Sequence, residues 1–252
     1  MMIIGLLLNK LNGVLKMVDL YKYFSAIYDE CNVSTHSIIF GKSMLRYFEI
    51  MHPNESFKKN LDLCCGTGSL CNFLMENGIE SKGVDLSEEM LEIALKNYPD
   101  IEFVHCNIID YKDHEKYDFI TSTDDALNHI IEIDDLKKSF QNANNLLRKD
   151  GLFIFDISNF NQVSFKRREK FSEGSKKLVY SPSKKGKIVN YKVEYYENDE
   201  FIWSDDINER DYSVDEIIGL LNDTGFVLEV CAQYFFDENR MAKFNFVARK
   251  IS

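Results

Sequence analysis

The sequence predicts an α/β fold built on a mostly parallel, doubly wound sheet that ends in an antiparallel hairpin. Short apolar runs bounded by turns recur from Leu61 onward, and amphipathic segments of about 10–15 residues separate them, a pattern typical of βαβ units. Five such runs predict parallel strands, and two runs near the C-terminus predict the hairpin. Together they predict a seven-stranded sheet.

Local signals define the individual elements. Ser87, followed by two glutamates, supplies a helix N-cap and acidic residues in the first turn, and Asp134 opens a second helix that we expect the turn at 149–151 to close. SVDE at Ser213 predicts a capping box that opens a further helix, which ends at 223–225. The predicted strands are 61–65, 81–86, 101–107, 117–122 and 152–157, followed by the hairpin strands 226–236 and 243–250.

The segment 159–212 has a different character. It contains charge clusters, the turn sequence SPSKKGK and alternating stretches such as KIVNYKVEYY. Alternation of this kind is typical of antiparallel strands. We therefore expect an antiparallel β insert after the fifth strand.

Composition restricts the class of protein. The chain has 252 residues, 45% of them hydrophobic, which is enough for a substantial core in one domain or one domain with an elaboration. The 41 acidic residues outnumber 30 basic ones, and the net charge of −11 disfavours broad binding to nucleic acid. The cysteines are scattered rather than densely spaced, which favours a reduced, cytoplasmic protein.

The N-terminal stretch MMIIGLLLNKLNGVLK predicts neither a membrane span nor a signal peptide. Its apolar run covers only residues 3–8 and has no cationic residue before it. We interpret it as an amphipathic starter helix or an upstream extension, with Met17 as a second candidate for the first residue.

The stretch LDLCCGTGSL, residues 61–70, carries the clearest functional signal. A strand containing Asp62 is followed by Gly66 and Gly68 and then by an apolar helix, so the backbone can turn tightly and a ligand can approach it. Asp85 lies seventeen residues beyond Gly68, at the end of the second strand, where a carboxylate can accept the hydroxyl groups of a ribose. This spacing predicts a nucleoside-containing cofactor.

Two other interpretations of this stretch are disfavoured. Cys64 and Cys65 are adjacent on a strand and point to opposite faces, so they are poorly placed to chelate one metal ion, and we predict no metal site. A dinucleotide site needs a third glycine where Cys71 stands, and the carboxylate of Asp62 would repel a diphosphate. The same carboxylate suits a cationic cofactor.

These motifs resemble those of the class I S-adenosylmethionine-dependent methyltransferases. LDLCCGTG is similar to motif I, GVDLSEEMLEIA to the second motif, and FVHCNIID and YDFITSTDDALNHI lie where the third and fourth fall. The resemblance covers about residues 20–250. It is closest to the small-molecule branch that includes sugar N-methyltransferases and uncharacterised bacterial relatives. It implies a Rossmann-like sheet and S-adenosylmethionine as the cofactor.

The resemblance also implies an organisation in three parts. Residues 1–55 would form an N-terminal helical segment and cofactor lid. Residues 56–158 and 213–252 would form the methyltransferase core. Residues 159–212 would be the β insert, which covers the acceptor site or makes a dimer contact.

Position by position, the resemblance implies the cofactor contacts. Asp62 would orient the loop and the methionine ammonium, the two glycines would lie under the methionine and ribose, and Asp85 would bind the ribose. Asn107 stands where the family often has an aspartate that contacts the adenine amino group, and Cys64 replaces the usual first glycine. The full expected set is Tyr21, Tyr28, Asp62, Cys64, Gly66, Gly68, Asp85, Leu86, Met90, Asn107, Ile108 and Thr123.

The acceptor is expected beyond the carboxyl ends of the strands, as in other open α/β sheets. This places Asp125, Asn128 and His129 near the transferred methyl group, and His129 has a side-chain pKa suited to a general base. Helix capping or packing is the alternative role for Asp125 and His129. The insert contributes Trp203, Arg210 and Tyr212, which line the acceptor pocket, pack in the core or contact a second subunit.

We therefore predict a cytoplasmic methyltransferase that acts by in-line displacement on an amine or hydroxyl of a small molecule. The alternatives are an RNA or protein methyltransferase and a noncatalytic S-adenosylmethionine-binding sensor. We expect a monomer or homodimer that binds neither membrane nor nucleic acid.

Overall fold

The structure is a computed structural model that describes residues 25, 28–29, 34–161, 165, 168–171, 176–235 and 242–251. A seven-stranded sheet has the order β10-β11-β5-β4-β1-β2-β3. Strands β1 to β5 are parallel, whereas β11 is antiparallel to both β5 and β10. The strands are β1 (Lys59–Leu63), β2 (Glu80–Asp85), β3 (Phe103–His105), β4 (Tyr117–Ser122), β5 (Leu147–Ser158), β10 (Phe226–Phe235) and β11 (Ala242–Lys250).

Helices cover both faces of this sheet. They are α1 (Ser34–Met51), α2 (Ser69–Glu76), α3 (Glu88–Asn97), α4 (Ile133–Leu146) and α5 (Val214–Asp223). Neighbouring residues of β4 belong to opposite faces, because side chains alternate along a strand. Phe119 packs with residues of α1 and α2, whereas Ile120 packs with residues of α4 and α5. The prediction of a doubly wound, mostly parallel sheet with a C-terminal antiparallel hairpin is confirmed.

Two of the three predicted helix starts are confirmed, whereas Asp134 lies in the first turn of α4, which begins at Ile133 after the N-cap Glu132. The Ser87 hydroxyl accepts the Met90 N–H at the start of α3. Ser213 and Glu216 form the predicted capping box at the start of α5. Both caps fix the point at which the chain leaves a strand or the insert and enters a helix.

The prediction that the turn at 149–151 closes a helix is wrong in position. Helix α4 ends at Leu146, and Leu147 already pairs with Tyr117. The next pair joins Phe119 to Leu152, so the intervening residues loop out of register, with Asp150 in the left-handed region at φ 62°. The turn residues 149–151 therefore form an irregularity within β5 rather than the end of a helix.

The predicted insert forms a second sheet of four antiparallel strands, in the order β6-β7-β8-β9. Its strands are β6 (Arg168–Phe171), β7 (Lys176–Lys185), β8 (Ile188–Glu197) and β9 (Glu200–Arg210). Leu178, Val189 and Val193 are buried in a core of its own. The sheet follows β5, as the sequence predicts, and β9 leads back to α5.

No helix in the part of the chain that the structure describes is long and apolar enough to cross a membrane.

Candidate functional site

The loop between β1 and α2 forms a cradle at the carboxyl end of the sheet. Cys64, Gly66 and Gly68 all have positive φ angles, of 60°, 55° and 78°. The Gly66 N–H donates to Asp85 Oδ2 at 2.8 Å, and the Ser87 N–H donates to Asp85 Oδ1 at 2.9 Å. Asp85 thus joins the first loop to the second, as the predicted pairing of these motifs requires.

The two glycines of the cradle have different surroundings. Apart from Gly66 itself and its two chain neighbours, no heavy atom of the described residues lies within 4 Å of a Cβ built on Gly66, so this position borders open space. A Cβ on Gly68 would lie 2.5 Å from the Phe103 ring. Gly66 is therefore open to a ligand, whereas Gly68 also permits the loop to pack closely against β3.

Asp62 lies beneath the cradle and is 2% exposed. Its Oδ1 accepts the Thr121 hydroxyl at 2.7 Å, and the Cys71 thiol lies 3.8 Å from its Oδ2. Burial raises the pKa of Asp62 to about 7, despite these hydrogen bonds. The carboxylate would therefore gain from a cation placed near the loop.

Leu86, Met90, Asn107 and Ile108 lie around the ends of β2 and β3. Asn107 Oδ1 accepts the Ile109 N–H at 3.0 Å, and the Leu86 carbonyl lies 2.8 Å from His105 Nε2. Met90 and Ile108 are buried. The side-chain oxygen of Asn107 thus shapes the loop after β3 and retains a second lone pair.

The loop after β4 is held by a buried aspartate of β5. Asp124 and Asp125 both have left-handed φ angles, of 61° and 50°, and both donate their backbone N–H to the Asp156 carboxylate. The Lys243 ammonium lies 2.9 Å from Asp124, 3.3 Å from Asp125 and 3.6 Å from Asp156. Burial raises the pKa of Asp156 to about 6, whereas Lys243 holds the pKa of Asp124 well below its usual range.

His129 ends the 3₁₀ turn Ala126–His129 that follows this loop. Its Nε2 lies 4.0 Å from Glu209 Oε1, and the side chains of both residues are largely buried, at 16% and 10% exposed. Neither His129 Nδ1 nor Glu209 Oε2 has a hydrogen-bond partner among the described residues. Burial lowers the pKa of His129, which favours the neutral form of its imidazole.

Asn128, Arg210 and Tyr212 hold the end of the insert against this turn. Asn128 Nδ2 donates to the Arg210 carbonyl at 2.8 Å, and its Oδ1 accepts the Ser158 N–H at 3.0 Å. The Arg210 guanidinium donates to the Ile131 carbonyl at 3.0 Å, and the Tyr212 hydroxyl donates to Ile130. The structure thus gives these three predicted acceptor contacts structural partners, and an acceptor-binding role stays a prediction.

The remaining predicted residues belong to different segments of the chain. Trp203 stacks on Tyr195 within the insert, 5.7 Å between ring centroids. Thr123 is buried and donates to the Ser37 hydroxyl of α1 at 3.2 Å. Tyr28 is half-buried, and Tyr21 lies outside the described residues. Near Tyr28, Asp29 accepts the hydroxyl of the cradle residue Thr67 at 2.9 Å.

Four charged residues around the loop after β4 were not predicted: Asp124, Asp156, Lys243 and Glu209. Asp156 stands inside the apolar run FIFDIS, and Lys243 stands in the short strand sequence AKFNF. For both residues, a single charged side chain within an apolar strand sequence is the signal that could have identified them. Glu209 lies in the charged stretch SDDINERDY, where nothing distinguishes it from its neighbours. Among the described residues, no group of three or more His, Cys, Asp or Glu side chains is arranged to hold a metal ion.

Comparisons with known proteins agree with this geometry. Residues 61–151, which include the cradle, both Asp62 and Asp85, and the turn containing His129, match the family described as "Methyltransferase domain". A relative from Geobacillus sp. (strain WCH70), named as a methyltransferase without a stated substrate, is 29% identical over 197 residues. The match covers 73% of this chain and 80% of the relative.

Residues 61–151 of this chain are a methyltransferase domain. The fold of this methyltransferase is similar to solved structures. An S-adenosylmethionine-dependent methyltransferase from Clostridium acetobutylicum has a TM-score of 0.77 and 21% identity, covering 92% of this chain and all (100%) of the other. A sugar N-methyltransferase from Streptoalloteichus sp. has a TM-score of 0.69 and 15% identity, with coverages of 87% and 88%.

The residues of the cradle fit S-adenosylmethionine, the cofactor of this methyltransferase. The open space at Gly66 leaves room for a ligand against the backbone. Asp85 is held by two backbone N–H groups and keeps further lone pairs for hydroxyl groups. Asp62 adds a buried carboxyl group, which suits a cofactor whose methionine end carries an ammonium group.

Proposed function

We propose that this methyltransferase transfers the methyl group of S-adenosylmethionine to an amine or hydroxyl of a small molecule by in-line displacement. The observation that carries the proposal is the buried imidazole of His129 just beyond the carboxyl end of β4, whose pKa is lowered by burial. The cofactor supplies an electrophilic methyl with a good leaving group. The protein must therefore align the acceptor, exclude water and accept a proton.

The proposed cofactor contacts follow the geometry of the cradle. Asp85 binds the ribose hydroxyls, and the loop containing Cys64, Gly66 and Gly68 lies under the methionine and ribose. Leu86, Met90, Asn107 and Ile108 form the adenine end. The bond from Thr67 to Asp29 supports the proposal that the described part of the N-terminal segment, with Tyr28, closes over the cofactor together with Thr123.

The insert, proposed as residues 159–212, covers the acceptor site. Strand β9 brings Glu209 against His129, and the bonds of Asn128, Arg210 and Tyr212 hold it there. The similarity to a sugar N-methyltransferase supports an amine acceptor. A further solved structure supports the same class: an amino pentose methyltransferase from Micromonospora echinaspora, with a TM-score of 0.73 and 14% identity, covering 89% of this chain and 96% of the other.

The experiment that tests the proposal is a transfer assay with methyl-labelled S-adenosylmethionine and a panel of matched acceptors. The panel pairs aminodeoxy sugars and small alkylamines with their hydroxyl counterparts, and includes bulk RNA and a denatured protein extract. Label in a small amine or alcohol supports the proposal. Label in RNA or protein alone contradicts it, and tight cofactor binding with no transfer to any acceptor favours a sensor.

Asp85→Ala is expected to weaken binding of S-adenosylhomocysteine about 10- to 150-fold, the equivalent of about 1.5–3 kcal/mol for a lost hydrogen bond to a charged group. Asp85 contacts the proposed ribose site and also accepts the Gly66 N–H. Calorimetric titration measures the change. Glu88→Ala, which removes an exposed carboxylate from the first turn of α3, is the matched control and should bind normally.

A ligand without ribose hydroxyls separates the two roles of Asp85. The 2′,3′-dideoxy analogue of S-adenosylhomocysteine should bind the wild type and Asp85→Ala with more similar affinities than the parent ligand does. Equal weakening for both ligands would mean that Asp85 acts only through the loop.

The raised pKa of Asp62 predicts that cofactor binding depends on pH. Its pKa of about 7 means that the carboxyl ionises between about pH 6 and 8, and a bound methionine ammonium favours the ionised form. The affinity for S-adenosylhomocysteine should therefore rise by up to about tenfold as the pH rises through this range. Asp62→Asn should abolish the rise.

Methylthioadenosine, which lacks the amino-acid portion, provides the ligand control for Asp62. Its affinity should not follow the titration of Asp62, in either protein. A rise of equal size for both ligands would contradict the assignment of Asp62 to the methionine ammonium.

A further inference from the structure

The end of the insert is fixed against the turn that carries His129. Asn128, Ile130 and Ile131 on one side bond to Arg210 and Tyr212 on the other, through two backbone carbonyls of the turn segment and one of β9. The residue between Asn128 and Ile130 is His129, and the residue before Arg210 is Glu209. The fold therefore places these two side chains together from elements about 80 residues apart in sequence.

Within the part of the chain that the structure describes, the Glu209 carboxyl group has no ion-pair partner other than His129. Glu209 is 7% exposed, and its Oε2 has no hydrogen-bond partner among the described residues. Burying a carboxyl group without a hydrogen-bond partner costs free energy. A nearby group that pairs with it would offset this cost. His129 Nε2, at 4.0 Å from Oε1, is the ring nitrogen that faces it.

The two nitrogens of His129 are thus distinguished by their surroundings. Nε2 faces a carboxyl group, whereas Nδ1 has no hydrogen-bond partner among the described residues. In a neutral imidazole the nitrogen beside an acceptor carries the proton, and the other keeps its lone pair. A separation of 4.0 Å is longer than a hydrogen bond, as is common before substrate binds.

We propose that Glu209 is a positioning residue that holds the Nε2–H of His129, so that Nδ1 is the nitrogen that accepts the proton of the acceptor. The proposal rests on the proposed function of His129 as base. The acceptor nitrogen or oxygen forms its bond to the methyl carbon, the carbon–sulfur bond breaks, and its electron pair stays on sulfur. The acceptor proton passes to Nδ1, and the Glu209 carboxylate balances the resulting imidazolium charge.

Two other charged residues near His129 and Glu209 affect the protonation states of both side chains. Asp125 on the same turn favours the imidazolium, and Lys243 of β11 opposes it. Burial and the Asp125 carboxylate raise the pKa of Glu209 and Lys243 lowers it, so the titration of Glu209 decides whether its carboxylate can accept the Nε2–H. The free-base form with Nε2 protonated is therefore expected at the alkaline side of this titration.

Histidine ¹⁵N NMR on the full chain saturated with S-adenosylhomocysteine tests the proposal. The chain has five histidines, and the signals of His129 are assigned by their loss in His129→Asn. At pH 8.5 we expect the Nε2–H tautomer at His129. The Nδ1–H tautomer in the wild type would overturn the proposal without the need for any variant.

Two substitutions separate the charge from the hydrogen bond. Glu209→Gln keeps an acceptor oxygen, so the tautomer should persist while the pKa of His129 falls by about 1 to 3. Glu209→Met removes the acceptor, so the tautomer preference should be lost, and Glu209→Asp should restore it at least in part. Unchanged tautomer and pKa in both Glu209→Gln and Glu209→Met would refute a positioning role.

Glu194→Met, which removes a carboxylate of β8 in the same insert, is the control and should leave both properties of His129 unchanged. The readout does not depend on the acceptor. If the acceptor proves to be RNA or protein, the proposed small-molecule function is wrong. The NMR experiment still tests the role of Glu209, because it measures the His129 tautomer without any acceptor.

Discussion

His129→Gln is expected to slow methyl transfer about 10²- to 10⁴-fold, the usual contribution of a general base, while S-adenosylhomocysteine binds as in the wild type. The imidazole lies beyond the carboxyl end of β4, and its neutral form can accept a proton. Single-turnover rates with the acceptor found in the transfer assay measure the effect. Gln retains polarity and similar size, so the loss should reflect chemistry rather than packing.

The control for His129→Gln is His114→Gln, because His114 is exposed. This variant should transfer methyl at the wild-type rate. The wild-type rate should also fall as the pH drops through the pKa of His129, which burial places below its ordinary value, because the protonated imidazole cannot accept a proton. A rate that is unchanged in His129→Gln would mean that the acceptor loses its proton to another group or to water.

Lys243→Met is expected to lower the free energy of unfolding by about 3–5 kcal/mol, the range for removing one partner of a buried ion pair. Lys243 is 3% exposed and faces Asp124, Asp125 and Asp156. Methionine keeps much of the volume but leaves these carboxylates without their shared cation. Urea denaturation at neutral pH measures the loss.

The pH dependence of the Lys243→Met effect has a definite sign. In the wild type Lys243 holds the pKa of Asp124 below its unfolded value, so this contribution to stability is present above about pH 4 and is lost as the pH falls. The variant lacks the cation, and its buried carboxylates favour protonation. The difference between the two proteins should therefore be largest at neutral pH and shrink towards pH 4.

Lys192→Met is the matched control for this loss. Lys192 is half exposed and pairs with Glu194 on the surface of the insert, 2.9 Å from Nζ to Oε1. Removal of such an exposed, solvent-screened pair should leave the free energy of unfolding close to the wild-type value. If Lys243→Met costs no more than this control, the aspartates around Lys243 are stabilised by other contacts.

The sequence by itself determined the fold class and the position of the cradle. Alternating apolar and amphipathic segments specify βαβ units because each element must bury one face. Gly66, Gly68 and Asp85 were identifiable because the turn needs positive φ angles and the second strand must end where the first loop begins. The caps at Ser87 and Ser213 are equally local, since the hydrogen bonds they form span only three residues.

Element ends were less predictable where pairing overrides local preference. The turn residues at 149–151 predicted a break, but Leu147 gains a partner in Tyr117, and the chain accommodates the extra residues by looping out of register. Likewise, the third strand is shorter than its apolar run, because Asn107 Oδ1 accepts the Ile109 N–H and turns the chain.

Only the tertiary structure decided which charges meet beyond β4. Asp156 and Lys243 come from neighbouring strands, β5 and β11, and reach Asp124 because those strands lie side by side in the sheet. Glu209 reaches His129 because hydrogen bonds from distant parts of the chain hold β9 against the 3₁₀ turn. Sequence patterns report the period of burial along one element, whereas a partner in another element depends on packing. The cradle was therefore predictable, and the contact between His129 and Glu209 was not.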